Sequence, residues 1–159
     1  MKTSTTHFLA KSAMIAAIYV VLTLIFAPIS FGQIQLRIAE ALTILPVFTP
    51  AAIPGLFIGC LIGNLIGGAA LPDIIFGSLA TLIGAFFTYR LKNHGPILAV
   101  LPPIISNTII IPFVLYYAYG ITVPIPMLML TVGIGEVLGC GVLGVILYHS
   151  LKKHQKLFL

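Results

Sequence analysis

Apolar runs long enough to span a bilayer dominate this chain, and too little polar sequence lies between them to coat a water-soluble domain. The stretch from Ser12 to Ile29 carries no charge, and several other runs approach the roughly 20 apolar residues that a transmembrane helix needs. Helices of soluble proteins need a polar outer face, whereas only 7% of these residues are charged and the mean hydropathy is +1.18. The chain reads as an all-α, multi-pass integral membrane protein with one transmembrane domain over residues 1–159.

Its basic residues are grouped. Lys2 and Lys11 lie at the N-terminus, Arg90 and Lys92 in the hinge 89–94, and Lys152, Lys153 and Lys156 at the C-terminus, with Arg37 alone outside these groups. Grouping of this kind is a topology signal rather than a nucleic-acid footprint, so no nucleic-acid partner is expected. No small-x-small cleavage site follows the N-terminal lysines, so the first apolar run is expected to stay as a transmembrane helix and not to be removed as a signal.

Breaks at Pro, Gly and charge place six candidate spans at about 8–30, 36–50, 53–70, 73–91, 97–119 and 125–150. Five of them are expected to be long enough to cross; the second is short and carries Arg37, Glu40 and Pro46. Charge decides its case. The basic groups share one face only if the short segment also crosses. The expectation is a six-transmembrane-helix bundle with both termini and the 89–95 hinge cytoplasmic, and with residues 31–36, 71–72 and 120–124 outside.

Only three acids occur, Glu40, Asp73 and Glu136, each flanked by apolar sequence. A carboxylate within a membrane costs roughly 2.5–3.5 kcal/mol on insertion scales, so one that persists there faces a protein interior, a cavity or a cation. The topology puts all three in the outer half of the bundle, where Ser106 and Asn107, Asn64, Gln33 and Gln35 are placed to join them around an outward-open solute cavity. Plainer readings stand beside this one. Asp73 follows Pro72 and suits a helix N-cap; Arg37 and Glu40, three apart, suit an ion pair; Asn64 and Asn107 suit hydrogen bonds between helices; Tyr116, Tyr117 and Tyr119 suit an interfacial aromatic belt. Glu136 has no basic neighbour in sequence and is surrounded by small residues, which favours ligand contact over a protonated structural carboxyl.

Gly55, Gly59, Gly63 and Gly67 recur every fourth residue, and Gly135 with Gly139, and Ala13 with Ala17, repeat the spacing. Such faces let helices approach closely, either inside the bundle or against a partner. Cys60 and Cys140 lie in Gly-rich apolar runs without CxxC spacing and read as small packing residues, with no metal or cofactor expected. Catalysis finds no support. There is no GxxxxGK[ST] loop and no HExxH, the four histidines fall near the expected cytoplasmic ends, and a single Asp excludes an aspartyl dyad.

The run Gln35-Leu-Arg-Ile-Ala-Glu40-Ala-Leu-Thr-Ile-Leu-Pro46, continued by Thr49-Pro-Ala-Ala-Ile-Pro-Gly-Leu-Phe-Ile-Gly59, resembles the QueT family of queuosine-precursor transporters. So do Asp73-Ile-Ile-Phe-Gly-Ser-Leu-Ala-Thr81, Ile105-Ser-Asn107 and the Gly135-Glu136 segment. The resemblance implies a substrate-binding (S) component of a prokaryotic energy-coupling factor transporter, seated in the cell membrane. It implies a six-helix fold, and a complex with a transmembrane coupling (T) protein and two cytoplasmic ATPases, docked through Ala13 and Ala17. The implied solute is 7-aminomethyl-7-deazaguanine or a close relative. Its guanine-like edge suits one carboxylate and its aminomethyl cation a second. Glu136 and Glu40 are assigned these roles in either order, with Asn107 on the base, Gln35 or Arg37 closing the outer loop, Asp73 in reserve, and Asn64 and Tyr116 as further contacts. The rival classes are a self-contained proton-coupled secondary transporter and a purely structural membrane subunit.

Overall fold

The structure, a computed structural model, describes residues 5–30 and 36–154. Gln33 and Gln35 lie outside the described residues. All regular structure among the described residues is helical. It comprises α1 (Thr5–Ile25), a single turn α2 (Ala27–Ser30), a 3₁₀ helix (Ile38–Val47), α3 (Ala52–Ile66), α4 (Leu71–Arg90), α5 (Pro96–Ala118), α6 (Ile125–Glu136), a π-helical segment (Val137–Leu143) and α7 (Gly144–Lys152). The last three run on as one apolar helix of 28 residues.

Among the described residues four helices are long and apolar enough to cross a membrane: Thr5–Ile25, Leu71–Arg90, Pro96–Ala118 and Ile125–Lys152. The expectation of five is corrected at α3. That helix stops at Ile66, and its 15 residues cover only about 22 Å at 1.5 Å per residue. The shortest span, carrying Glu40, is a 3₁₀ helix of 10 residues. Its steeper rise of about 2.0 Å per residue gives it roughly 20 Å of reach, where an α-helix would have about 15 Å. Its two ends lie at opposite ends of the bundle. Arg37 at its start meets Asp73 in the first turn of α4, whereas Phe48 at its end lies 5.4 Å, ring to ring, from Tyr148 of α7.

This short helix is the centre of the fold. Ala39, Glu40, Leu42, Thr43, Ile44, Leu45 and Pro46 are all buried, and it packs on α1, α3, α4, α5, the π segment and α7. A long 3₁₀ helix has poorer hydrogen-bond geometry than an α-helix, so tertiary packing must sustain it. Leu42 and Leu45 join Ile15 and Tyr19 of α1 with Leu56 and Cys60 of α3 in one cluster, while Ile44 joins Ala99 and Val100 of α5 in another.

Small residues set the helix spacing. A Cβ added at Gly55 would lie 2.8 Å from the Ser12 carbonyl oxygen, and one at Gly59 would lie 2.8 Å from Tyr19 Cβ. The glycine stripe of α3 is therefore internal packing against α1, where the Ser12 hydroxyl also donates to the Ala51 carbonyl at 2.8 Å. Ala13 and Ala17 point the other way and are exposed. Gly84 brings α4 against Pro103 of α5 in the same manner.

The described basic residues other than Arg37 gather at one end. Ile15 near the start of α1, Leu45 near the end of the 3₁₀ helix and Leu151 of α7 share a cluster, and the Thr88 hydroxyl near the end of α4 donates to the Ala99 carbonyl of α5 at 2.7 Å. Lys11, Arg90, Lys92, Lys152 and Lys153 thus lie opposite Arg37 and Asp73.

Candidate functional site

All three acids are buried: Glu40 is 2% exposed, Asp73 0% and Glu136 5%. They divide into two groups. At the end away from the lysines, Arg37 Nη2 lies 3.6 Å from Asp73 Oδ2, and the Tyr119 hydroxyl donates to the same oxygen at 3.0 Å. Tyr119 also accepts the Ala70 amide at 3.0 Å, which ties the end of α5 to the start of α4. Asn64 Nδ2 lies 3.4 Å from the Asp73 carbonyl and 3.6 Å from Cys60 Sγ.

These contacts correct two expectations. Asp73 is not the N-cap of α4, because Ala70 occupies that position and no side chain caps the helix; Asp73 instead turns its carboxylate to Arg37. Nor does Arg37 form its ion pair with Glu40. Arg37 precedes the 3₁₀ helix in extended backbone, φ −92° and ψ 105°, so its side chain departs from the helix towards α3 and α4, with Nη1 4.0 Å from Cys60 Sγ. Glu40 remains within its electrostatic reach.

Deeper in the bundle, the 3₁₀ helix and the long C-terminal helix bring Glu40 and Glu136 together. One ligand atom from each of Glu40, Glu136 and Cys140 lies within 4.8 Å of the others. Cys140 Sγ stands 3.1 Å from Glu136 Oε2 and 3.9 Å from Glu40 Oε2. The Tyr19 hydroxyl donates to Glu40 Oε1. Thr43 donates to the Glu40 carbonyl at 2.6 Å and lies 3.4 Å from the Cys140 sulfur. Asn107, 3% exposed, turns its side-chain amide to the Glu136 carboxylate, though Nδ2 stands outside strict hydrogen-bond geometry.

Local backbone accounts for this convergence. Glu136 is the last residue of α6, and the π segment opens immediately after it; insertions of this kind are frequent at functional sites. Gly139 within it lets the helix close on the chain before Glu40, since a Cβ there would lie 3.0 Å from the Arg37 carbonyl oxygen. In this conformation the carboxylates are buried. Two grooves of about 470 and 460 Å³ lie along α4 and α5, lined almost wholly by apolar side chains such as Phe76, Phe87, Ile109 and Phe113, and no acid lines either of them.

Sequence reasoning missed Tyr19, Tyr119 and Cys140 as members of these groups. Cys140 carries a usable signal: it lies four residues after Glu136, on the same helix face. Tyr116 is partly exposed, its ring 5.1 Å from that of Tyr117. Ser106 bridges helices by donating to the Ala80 carbonyl at 2.9 Å.

Residues 9–153 match the family model described as QueT transporter. A curated relative, the queuosine precursor transporter QueT of Lactococcus lactis subsp. cremoris (strain MG1363), is 38% identical over 85 residues, which are 52% of this chain and 50% of the relative. The match thus takes in about half the length of each. No solved structure matches the chain. Because the family match runs from within α1 to the end of α7 and includes both acid groups, the chain belongs to the QueT transporter family.

Proposed function

We propose that the chain is the substrate-binding subunit of an energy-coupling factor importer in a prokaryotic cell membrane, and that it captures 7-aminomethyl-7-deazaguanine or a close relative from outside. The observation that carries this reading is the buried pairing of Glu40 with Glu136, while Arg37 is engaged by Asp73. Glu40 and Glu136 lie together in an apolar bundle while the guanidinium faces Asp73, and buried carboxyls so placed suit a cationic solute. An aminomethyl cation meets one carboxylate. Adjacent N–H donors of a guanine-like edge meet the other, and Asn107 beside Glu136 contacts the base.

In this reading Gln35 or Arg37 helps the outer loop close, Asp73 is the reserve ligand, and Asn64 and Tyr116 are further contacts. The chain crosses six times, with both termini and the 89–95 hinge cytoplasmic, as the gathering of lysines at one end supports. A coupling protein and two ATPases supply the energy, in keeping with the absence of a phosphate loop from this sequence. The exposed Ala13 and Ala17 form the docking face.

Calorimetric titration of the purified protein in detergent with 7-aminomethyl-7-deazaguanine, guanine and an unrelated vitamin tests the assignment. Tight binding of the first alone, weakened by Glu136→Gln, is the expected result; a well-folded protein that binds none of them removes it. Uptake driven by a proton gradient in vesicles without ATPases would replace the importer with a secondary transporter.

A further inference from the structure

Helix α1 has two faces with different tasks. Ser12, Ile15, Ala16, Tyr19 and Thr23 are buried, and Gly55 and Gly59 of α3 fit against this face. On the other side Ala13, Met14, Ala17, Ile18 and Val21 are exposed. Tyr19 does more than pack. It is 1% exposed, is among the largest fully buried side chains, and its hydroxyl donates to Glu40 Oε1. That leaves Glu40 Oε2 as the oxygen turned to Cys140 and the Glu136 group. A phenol on one carboxylate oxygen fixes the carboxylate plane and so decides which lone pairs the other oxygen presents.

We propose that Tyr19 is a positioning residue for solute binding: it orients Glu40 so that Oε2 faces the solute, and it makes the position of α1 part of the binding geometry. The inference rests on the reading of Glu40 as a solute ligand. Tyr19 packs its Cβ against Gly59 of α3 while its hydroxyl holds Glu40, so a shift of α1 relative to α3 carries the phenol with it. Any force on the exposed face of α1 is thereby felt at the carboxylate, with no need for a relay through the rest of the bundle.

A double-mutant cycle read by titration with 7-aminomethyl-7-deazaguanine tests this. Glu40→Gln must first weaken binding; if it binds as tightly as wild type, Glu40 is not a ligand and the inference falls with that reading. With that established, Tyr19→Phe, which keeps the packed ring, is expected to lose about tenfold in affinity, the scale of a hydrogen bond to a charged group. The same change made in Glu40→Gln, whose amide oxygen accepts only a neutral hydrogen bond from the phenol, is expected to lose clearly less. Equal losses in both backgrounds assign Tyr19 a packing role only and overturn the proposal, as does wild-type affinity in Tyr19→Phe. If Tyr19→Phe fails to fold, restoration of the fold by adding Glu40→Gln traces the defect to a carboxylate left without its donor and supports the proposal. Failure to fold in both backgrounds overturns it.

Discussion

The two acid groups differ in how their charge is met. Asp73 has a guanidinium and a phenol on one oxygen, and its neighbours belong to elements that must be tied together at one end of the bundle. Glu40 and Glu136 have a phenol, a thiol and each other. Hydrogen bonds from such neutral donors ease a buried carboxylate but do not neutralise it. The contrast teaches that burial alone does not mark a binding residue in a membrane protein. On the proposed reading, the acid whose countercharge is supplied by the fold is structural, and the pair without an ion-pair partner among the described residues receives the solute.

Substitutions turn that contrast into measurements. The largest effect is expected at Asp73→Asn, which removes the carboxylate that Arg37 Nη2 faces at 3.6 Å; removing one partner of a buried pair costs about 3–5 kcal/mol. Thermal unfolding in detergent should show a markedly less stable protein whose folded fraction binds solute within a few-fold of wild type. Undiminished stability with lost binding would reverse the assignment of the two groups. Next comes Glu136→Gln, where loss of a charge-assisted contact should weaken solute binding roughly 10–100-fold. Its stability should hold or rise, since a like charge beside Glu40 is gone.

A third test acts through packing. Gly59→Ala places a methyl against Tyr19, and overpacking of this kind costs typically about 1–3 kcal/mol. Because the strain falls on the residue that contacts Glu40, solute affinity should drop along with melting temperature. The smallest effect is expected at Tyr119→Phe. That change removes the hydrogen bond to Asp73 and the one from the Ala70 amide, and should cost about 1–2 kcal/mol of stability while leaving titration curves unchanged.

The sequence yields much of this through periodicity and punctuation. Span boundaries set by Pro, Gly and charge fall within a few residues of the observed helices, apart from the early stop of α3 at Ile66. Glu136, isolated among small residues in the sequence, is buried in the bundle. Two kinds of feature were hidden. Non-α geometry is one: nothing in Ile38–Val47 beyond its shortness and Pro46 announces a 3₁₀ helix, because tertiary contacts rather than local propensity hold it in that form. Long-range pairing is the other. Arg37 lies three residues from Glu40, and local spacing suggests that pair, yet its extended backbone sends it to Asp73. Tyr19 meets Glu40 from a different helix, a contact between distant positions that helical spacing does not encode.

The π segment after Glu136 has a mechanical meaning. A π turn holds one residue more than the ordinary i→i−4 ladder would, so the long C-terminal helix carries slack at the point where its acid meets the other. If that slack were taken up into regular α-helix, where each residue turns the chain by about 100° and advances it about 1.5 Å, everything on one side of the segment would rotate and shift relative to the other. Glu136 sits at that swivel, so a change of winding there would alter its position relative to Glu40.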